Sequence, residues 1–305
     1  MELTHPDLVL YPEMGATKRD LGAYYASVAD LILPHIARRP LALLRCPEGH
    51  GQQCFFQRHH TESTDALIRR VELTEASGER ATSMAIDDLA GLLRLVQMGT
   101  LEIHTWGCRI DNLERPDRAV VDLDPGEGVA WSAIVEAALQ VRSALAKHGL
   151  RSFVKTSGGK GLHVVVPLER RAGWEQVRSF TEGLVRRMAQ ERPDLYVSTP
   201  ATAKRKGRIF LDYLRNVRGA TTVAPYSLRA RAGAPISTPT SWKELNDVPS
   251  AQAFTLANIA GRVERGATAA WRGFFDVRQS ITRAMLQATA ERPELRRVLG
   301  PTARH

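Results

Sequence analysis

Behind Thr17, which can cap a helix whose third residue is Asp20, apolar positions recur at helical spacing at Leu21, Tyr24, Val28 and Leu31, running out to His35. The pattern predicts a first helix that Pro34 and Pro40 bring to an end. Residues 41–44 and 54–56 read as short strands on either side of the turn Pro47-Glu48-Gly49-His50-Gly51, and residues 87–96 as a second helix. The middle of the chain is clearer. A strand over 119–123 leads into a helix with Trp131, Ile134, Val135, Ala138, Val141 and Leu145 on one face, closed by Gly149 after Lys147 and His148. Strands over 153–156 and 162–166 flank a glycine-rich turn and predict a hairpin. An amphipathic helix with Trp174, Val177, Phe180, Leu184 and Met188 follows, then a strand over 208–214. After Tyr226 the pattern turns irregular, with a capping box at Ser241 and Glu244 and Arg-rich helical segments at the end.

Chemistry enters with Asp122-Leu123-Asp124, which ends the apolar run Ala119-Val120-Val121 just before Pro125-Gly126. Strand side chains alternate faces, so both carboxylates point the same way. Like charges held that close need a cation between them, and oxygen donors suit Mg²⁺ or Mn²⁺ better than zinc or copper. Asp212 shares a strand face with Phe210 and Leu214 and would be a third carboxylate, enough to hold two cations; the plain alternative is pairing with Arg208 or Arg215. In Thr156-Ser157-Gly158-Gly159-Lys160-Gly161-Leu162-His163, glycines let backbone amides approach an anion while Ser157, Lys160 and His163 offer donors. This outlines a triphosphate cradle. It lacks Walker spacing and precedes a strand, and a plain hairpin turn with a solvated lysine stays open beside it.

Composition changes the picture little. The 305 residues are 43% hydrophobic and 25% charged, a globular balance sized for about two lobes, and the net charge of +9 favours a polyanionic partner. We divide one domain over 1–305 into an N-terminal lobe, 1–97, and a catalytic lobe, 98–305, with a C-terminal helical extension. Three cysteines, Cys46, Cys54 and Cys108, give an odd count with no disulfide framework, and the N-terminus carries no signal pattern, so a reduced cytoplasmic setting is expected. Cys46, His50 and Cys54, with His59 and His60 beyond, have zinc-ligand chemistry, but the spacing is not a standard pair and chance clustering is the better reading. Phe55-Phe56 before Gln57-Arg58 mixes aromatic and basic groups as a base-stacking platform does, with Phe56 favoured as the functional ring and the other expected to face the core.

The ordered set Asp122-Leu123-Asp124-Pro125, Ser157-Gly158-Gly159-Lys160-Gly161-Leu162-His163 and Ile209-Phe210-Leu211-Asp212-Tyr213-Leu214-Arg215-Asn216 resembles motifs I, II and III of the archaeo-eukaryotic primase superfamily. Within it the chain is most similar to the polymerase domain of bacterial DNA ligase D, through His104-Thr105-Trp106, residues 112–118, residues 226–231, Tyr11-Pro12 and Thr17-Lys18 as well. The resemblance implies an α/β (α+β) primase-polymerase fold, a mixed central sheet with an RRM-like catalytic core flanked by helices plus a smaller N-terminal lobe. It implies a nucleotidyltransferase that adds ribo- or deoxyribonucleotides, templated or not, to DNA 3′ ends during non-homologous end joining, with two Mn²⁺ (or Mg²⁺) ions and nucleoside triphosphates as substrates. Asp122, Asp124 and Asp212 would be catalytic metal ligands with His104 nearby. Ser157, Lys160, His163, Arg215, Arg229 and Phe56 would bind the nucleotide, and Lys18 a DNA 5′-phosphate. The implied partners are broken or gapped DNA, a Ku-like end-binding protein and a ligase or nuclease domain, in the bacterial cytoplasm at the nucleoid, with no membrane. The motifs of a ligase or nuclease are not visible in the chain. Two rival readings use the same residues: a two-metal phosphoesterase or nuclease that attacks with water, and a non-catalytic scaffold that grips DNA ends, its acids mere salt-bridge partners.

Overall fold

The sheet that carries the acidic motif is six-stranded and organised around one long central strand. The computed structural model describes residues 3–61, 66–75, 78–264 and 270–290; the C-terminal end of the Arg-rich segment read as helical lies outside these described residues. In chain order the described elements are β1 (Val9–Tyr11), β2 (Ala16–Thr17), α1 (Lys18–Ser27), α2 (Ala29–Ile36), β3 (Leu41–Arg45), β4 (Phe55–Gln57), β5 (Arg69–Thr74), β6 (Arg80–Ala85), α3 (Leu89–Gln97), β7 (Thr100–Trp106), β8 (Arg118–Pro125), α4 (Trp131–Lys147), β9 (Phe153–Thr156), β10 (Leu162–Pro167), α5 (Trp174–Glu191), β11 (Tyr196–Val197), β12 (Ile209–Asp212), β13 (Thr221–Val223), β14 (Pro239–Thr240), α6 (Ile259–Glu264) and α7 (Arg283–Thr289). The fold is mixed α/β. Among the described residues no helix is long and apolar enough to cross a membrane.

The first sheet runs β11-β12-β8-β10-β9-β14, antiparallel except for β11 beside β12. Its two faces differ. Ala119, Val121 and Leu123 of β8, Leu162, Val164 and Val166 of β10, and Ile209 and Leu211 of β12 pack on Ile134, Val135 and Val141 of α4 and on Val177, Phe180 and Leu184 of α5, which bury the stripes their spacing predicts. The opposite face carries Val120, Phe153 and Val165 in a small aromatic core with Trp271 and Phe274, and beyond it the polar residues of the motifs. Gly149 ends α4 in the left-handed conformation, φ +72°, as the sequence pattern requires.

The second sheet runs β13-β7-β3-β6-β5, with β4 on the far end of β3. The sequence reading marked β3 and β4 but not β5, β6, β7 or β13. A boundary at residue 97 falls in front of β7, which is hydrogen-bonded to β3 on one side and β13 on the other. The second sheet thus draws strands from both stretches of chain, and Tyr226, Leu228 and Ile236 sit in one core with Leu10, Tyr25 and Leu43.

Three local expectations change. The first helix breaks at Val28 into α1 and α2, and Pro34 lies inside α2, where only the last turn follows it. Residues 213–214 leave the strand read over 208–214, because the Asp212 carboxylate accepts from Leu214 N at 2.8 Å and turns the chain into a short 3₁₀ segment, Leu214–Asn216. Cys46 and Cys54 form a disulfide, against the expectation of free thiols: Arg45 pairs with Phe55 in the β3–β4 register, which brings the next two positions opposite each other, with Cα atoms 4.4 Å apart. Cys108 is free and buried.

Candidate active site

Register places the motif residues in one row across the first sheet. Asp212 of β12 lies opposite Asp122 of β8, Asp122 opposite His163 of β10, and His163 opposite Lys155 of β9. Asp124, two positions along β8 from Asp122, shares its face. Asn216 holds the row in place: its amide donates to Val120 O at 2.7 Å and accepts from Val120 N at 2.8 Å, satisfying the edge of β8 where β12 has already turned away.

A cleft of about 360 Å³ opens over this row. Of the residues singled out in the sequence, His104, Asp122, Asp124, Ser157, Lys160, His163, Arg215 and Arg229 line it, and Asp212 meets it through Arg215. Phe56 stands at the rim, 54% exposed, its ring edge-on to His104 at 5.6 Å between centroids. Phe55 is exposed too, under the Arg45 guanidinium, so neither ring faces the core as one was expected to. Lys18 is not brought to the cleft: it is buried at the start of α1, its Nζ donating to Thr4 O at 3.0 Å, and burial lowers its pKa.

Guanidinium groups hold the carboxylates. Arg215 Nε lies 3.1 Å from Asp212 and 3.4 Å from Asp122, and Arg205 Nη1 donates to Asp124 at 2.6 Å. Compensation is incomplete at Asp122. Burial, opposed by Arg215 and helped by repulsion from Asp212 and Asp124, pushes its carboxyl up to about 6. Burial likewise raises Asp212. Among the described residues no three His, Cys, Asp or Glu side chains converge as a ready-made metal group, yet the donor chemistry of three same-face carboxylates with one of them poorly compensated fits a hard divalent cation that would take over from the arginines. Neither does the Cys46, His50, Cys54 set hold zinc, since both thiols are joined and His50 stacks on Tyr11 and faces Glu13 at 3.5 Å.

The hairpin between β9 and β10 is organised by Ser157, whose Oγ accepts from Gly159 N and Gly161 N at 3.1 Å each, leaving the hydroxyl hydrogen to donate into the cleft. Gly161 allows the close approach to β8, as a Cβ there would fall 1.8 Å from Leu123 O. Arg229 Nη1 donates to Ser157 O, and its Nε lies 3.1 Å from Glu102. His163 is 4% exposed with Nε2 3.5 Å from Asp122; burial and then Lys155 push its pKa well down. His104 is lowered by burial against its 2.8 Å hydrogen bond to Glu102, so a neutral ring donates from Nε2 and keeps the Nδ1 lone pair.

Sequence reasoning missed Glu102, Thr221, Thr222, Arg231 and Lys155. The pattern of β7, in which Glu102 and His104 share a face two residues apart, was a signal for the first; the others lie on short or irregular segments with none.

The chain is similar to known proteins. The family model described as LigD, primase-polymerase domain, matches residues 17–271. The chain is 38% identical over 286 residues to the multifunctional non-homologous end joining protein LigD of Pseudomonas aeruginosa, covering 93% of this chain and 34% of that protein. It is 27% identical over 266 residues to the bifunctional non-homologous end joining protein LigD of Bacillus subtilis, covering 87% of this chain and 43% of that one. The chain thus spans about a third to two fifths of the length of these curated relatives. Among solved structures, the polymerase domain of Mycobacterium tuberculosis ligase D in complex with DNA superimposes with a TM-score of 0.84 at 34% identity, over 91% of this chain and 99% of that one.

Proposed function

The chain belongs to the LigD primase-polymerase family, a family of nucleotidyltransferases, and from that premise we propose that it adds nucleotides to DNA 3′ ends in the gap filling of non-homologous end joining. The observation that carries the reading is the row Asp212, Asp122, His163 lying beneath a hairpin whose Gly159 and Gly161 amides fix Ser157 Oγ and leave its hydroxyl hydrogen to meet an anion. A triphosphate set on the hairpin would meet Ser157, Lys160, His163, Arg215 and Arg229, placing its α-phosphate over the carboxylates. Bound there by Asp122, Asp124 and Asp212, with His104 nearby, two Mn²⁺ or Mg²⁺ ions would activate a 3′-hydroxyl and offset charge on departing pyrophosphate. The chain's own residues do the rest. Lys160, Arg215 and Arg229 neutralise the β- and γ-phosphates, and Phe56 at the rim offers a face to the incoming base. Lys18 would take a DNA 5′-phosphate once released from Thr4 O. Broken DNA, a Ku-like end-binding protein and a ligase or nuclease partner are part of this reading, as is a bacterial, nucleoid-associated setting.

The arginine pairs on all three acids are what a non-catalytic scaffold would also show. Primer extension on a gapped duplex with a 5′-phosphate, Mn²⁺ and single ribo- or deoxyribonucleoside triphosphates separates the two. Wild type should extend, and Asp122→Ala/Asp124→Ala should lose about a thousandfold or more of the rate while binding the gap as before. Equal extension by both proteins would refute the assignment; equal gap binding with no extension by either would favour the scaffold.

A further inference from the structure

Lys155 stands on the catalytic face without a part in the reaction just described. It is the next position in the row after His163 and is 2% exposed. An ammonium is among the costliest groups to bury, and an apolar side chain would fill the space without that cost. What it gains is a contact between two distant segments. Lys155 Nζ donates to Ser237 Oγ at 2.6 Å, and that hydroxyl donates to Thr156 O at 2.9 Å. Thr156 N donates to Thr238 O and Thr238 N to Thr156 Oγ1, both at 3.0 Å. The segments joined are the two that build the cradle: Thr156 leads into Ser157-Gly158, and Ser237 closes the stretch from which Arg229 reaches back to Ser157 O. There is no slack between them, since a Cβ on Gly158 would lie 3.1 Å from Ser237 N.

Resting on the polymerase reading, we propose that Lys155 is a positioning residue of the nucleotide site. Through Ser237 it sets the height of hairpin 157–161 against the Arg229 segment, and so the distance from the triphosphate donors to the carboxylates in its own row. It acts through those groups and does not touch the nucleotide.

The test uses Lys155→Met, Ser237→Ala and the double variant, with three readouts: equilibrium binding of a fluorescent ribonucleoside triphosphate with Mn²⁺ and no primer, KM and kcat on the gapped duplex, and the affinity for that duplex. Lys155→Met should weaken nucleotide binding and raise KM about tenfold, with kcat within about threefold and duplex affinity unchanged, the signature of lost uniform binding. Ser237→Ala should move the same way, and the double variant should fall short of the sum of the single effects, because both break the Lys155–Ser237 contact. Unchanged nucleotide affinity, or additive effects in the double variant, would overturn the proposal. If Lys155→Met does not fold, Ser237→Ala decides alone, since it deletes one hydroxyl. Failure of the wild type to bind nucleotide would instead refute the polymerase reading itself.

Discussion

At the scale of single residues, Glu102 shows how the site is held together by a group that does no chemistry. Burial alone would raise its carboxyl, but the hydrogen bond from His104, the Arg229 charge and Ala230 N outweigh it and bring the group down to about 2. A carboxylate with a folded pKa below its unfolded value stabilises the fold fully above about pH 4.5, and that contribution fades as pH falls through about 2. It amounts to about 3 kcal/mol. We expect Glu102→Gln to lower stability at pH 7 by up to about that amount and to flatten the acid limb of the stability curve between pH 4.5 and 2, read from urea midpoints across pH. A variant with an unchanged acid limb would show that Glu102 is not coupled to Arg229 and His104. Asp122 and Asp124 were legible in the sequence because strand spacing alone puts two acids on one face. Lys155 was not, because its partner lies 82 residues away and an isolated charge on a short strand looks like a solvated position; Glu102 had a signal in His104 two residues along, but it was hidden because β7 was not read as a strand.

At the scale of elements, the β9–β10 hairpin was readable from its glycines, and the structure adds why one of them admits no side chain. Gly161→Ala would drive a Cβ into Leu123 O, which can be relieved only by moving the hairpin off β8. We expect a loss of about 3 kcal/mol in thermal or urea unfolding together with loss of triphosphate binding; a stable Gly161→Ala protein with normal binding would mean the hairpin does not need this closeness. The β3–β4 pair went the other way. Both strands were read, but the disulfide that closes the loop between them was not, since cysteine spacing says nothing about which positions a register will oppose. Its short loop predicts that a reductant, or Cys46→Ser/Cys54→Ser, costs about 2 to 3 kcal/mol, measured as a drop in Tm; no change would indicate that the bond does not form in solution. Strands β5, β6, β7 and β13 escaped because half or more of their side chains are polar or small, and β7 and β13 pair only with distant stretches of chain.

At the scale of the whole molecule, distant stretches of the chain are tied together, and its two larger sheets with them, often enough to make the parts interdependent. Tyr11 Oη donates to Arg229 O at 2.8 Å, Tyr24 Oη to Tyr226 O at 2.7 Å, and buried Arg39 grips Asp117 at the entrance to β8. We therefore expect urea unfolding followed by tryptophan fluorescence and by far-ultraviolet circular dichroism to give one coincident transition, and a fragment ending at Gln97, which lacks β7, to remain unfolded; two separated transitions would contradict this. The alternation of faces along β8 bears on how such a protein can change over generations. Odd-numbered positions from 119 to 123 answer to the helices and even-numbered ones to the opposite face, Val120 to its aromatic core and Asp122 and Asp124 to the cleft, so point substitutions fall into two classes by parity. A deletion of one codon inside that run belongs to neither class. It would swap the two sets at once, turning the acids toward α4 and α5 and the leucine and valine toward the nucleotide, so this lineage can drift in sequence along β8 far more freely than it can in length.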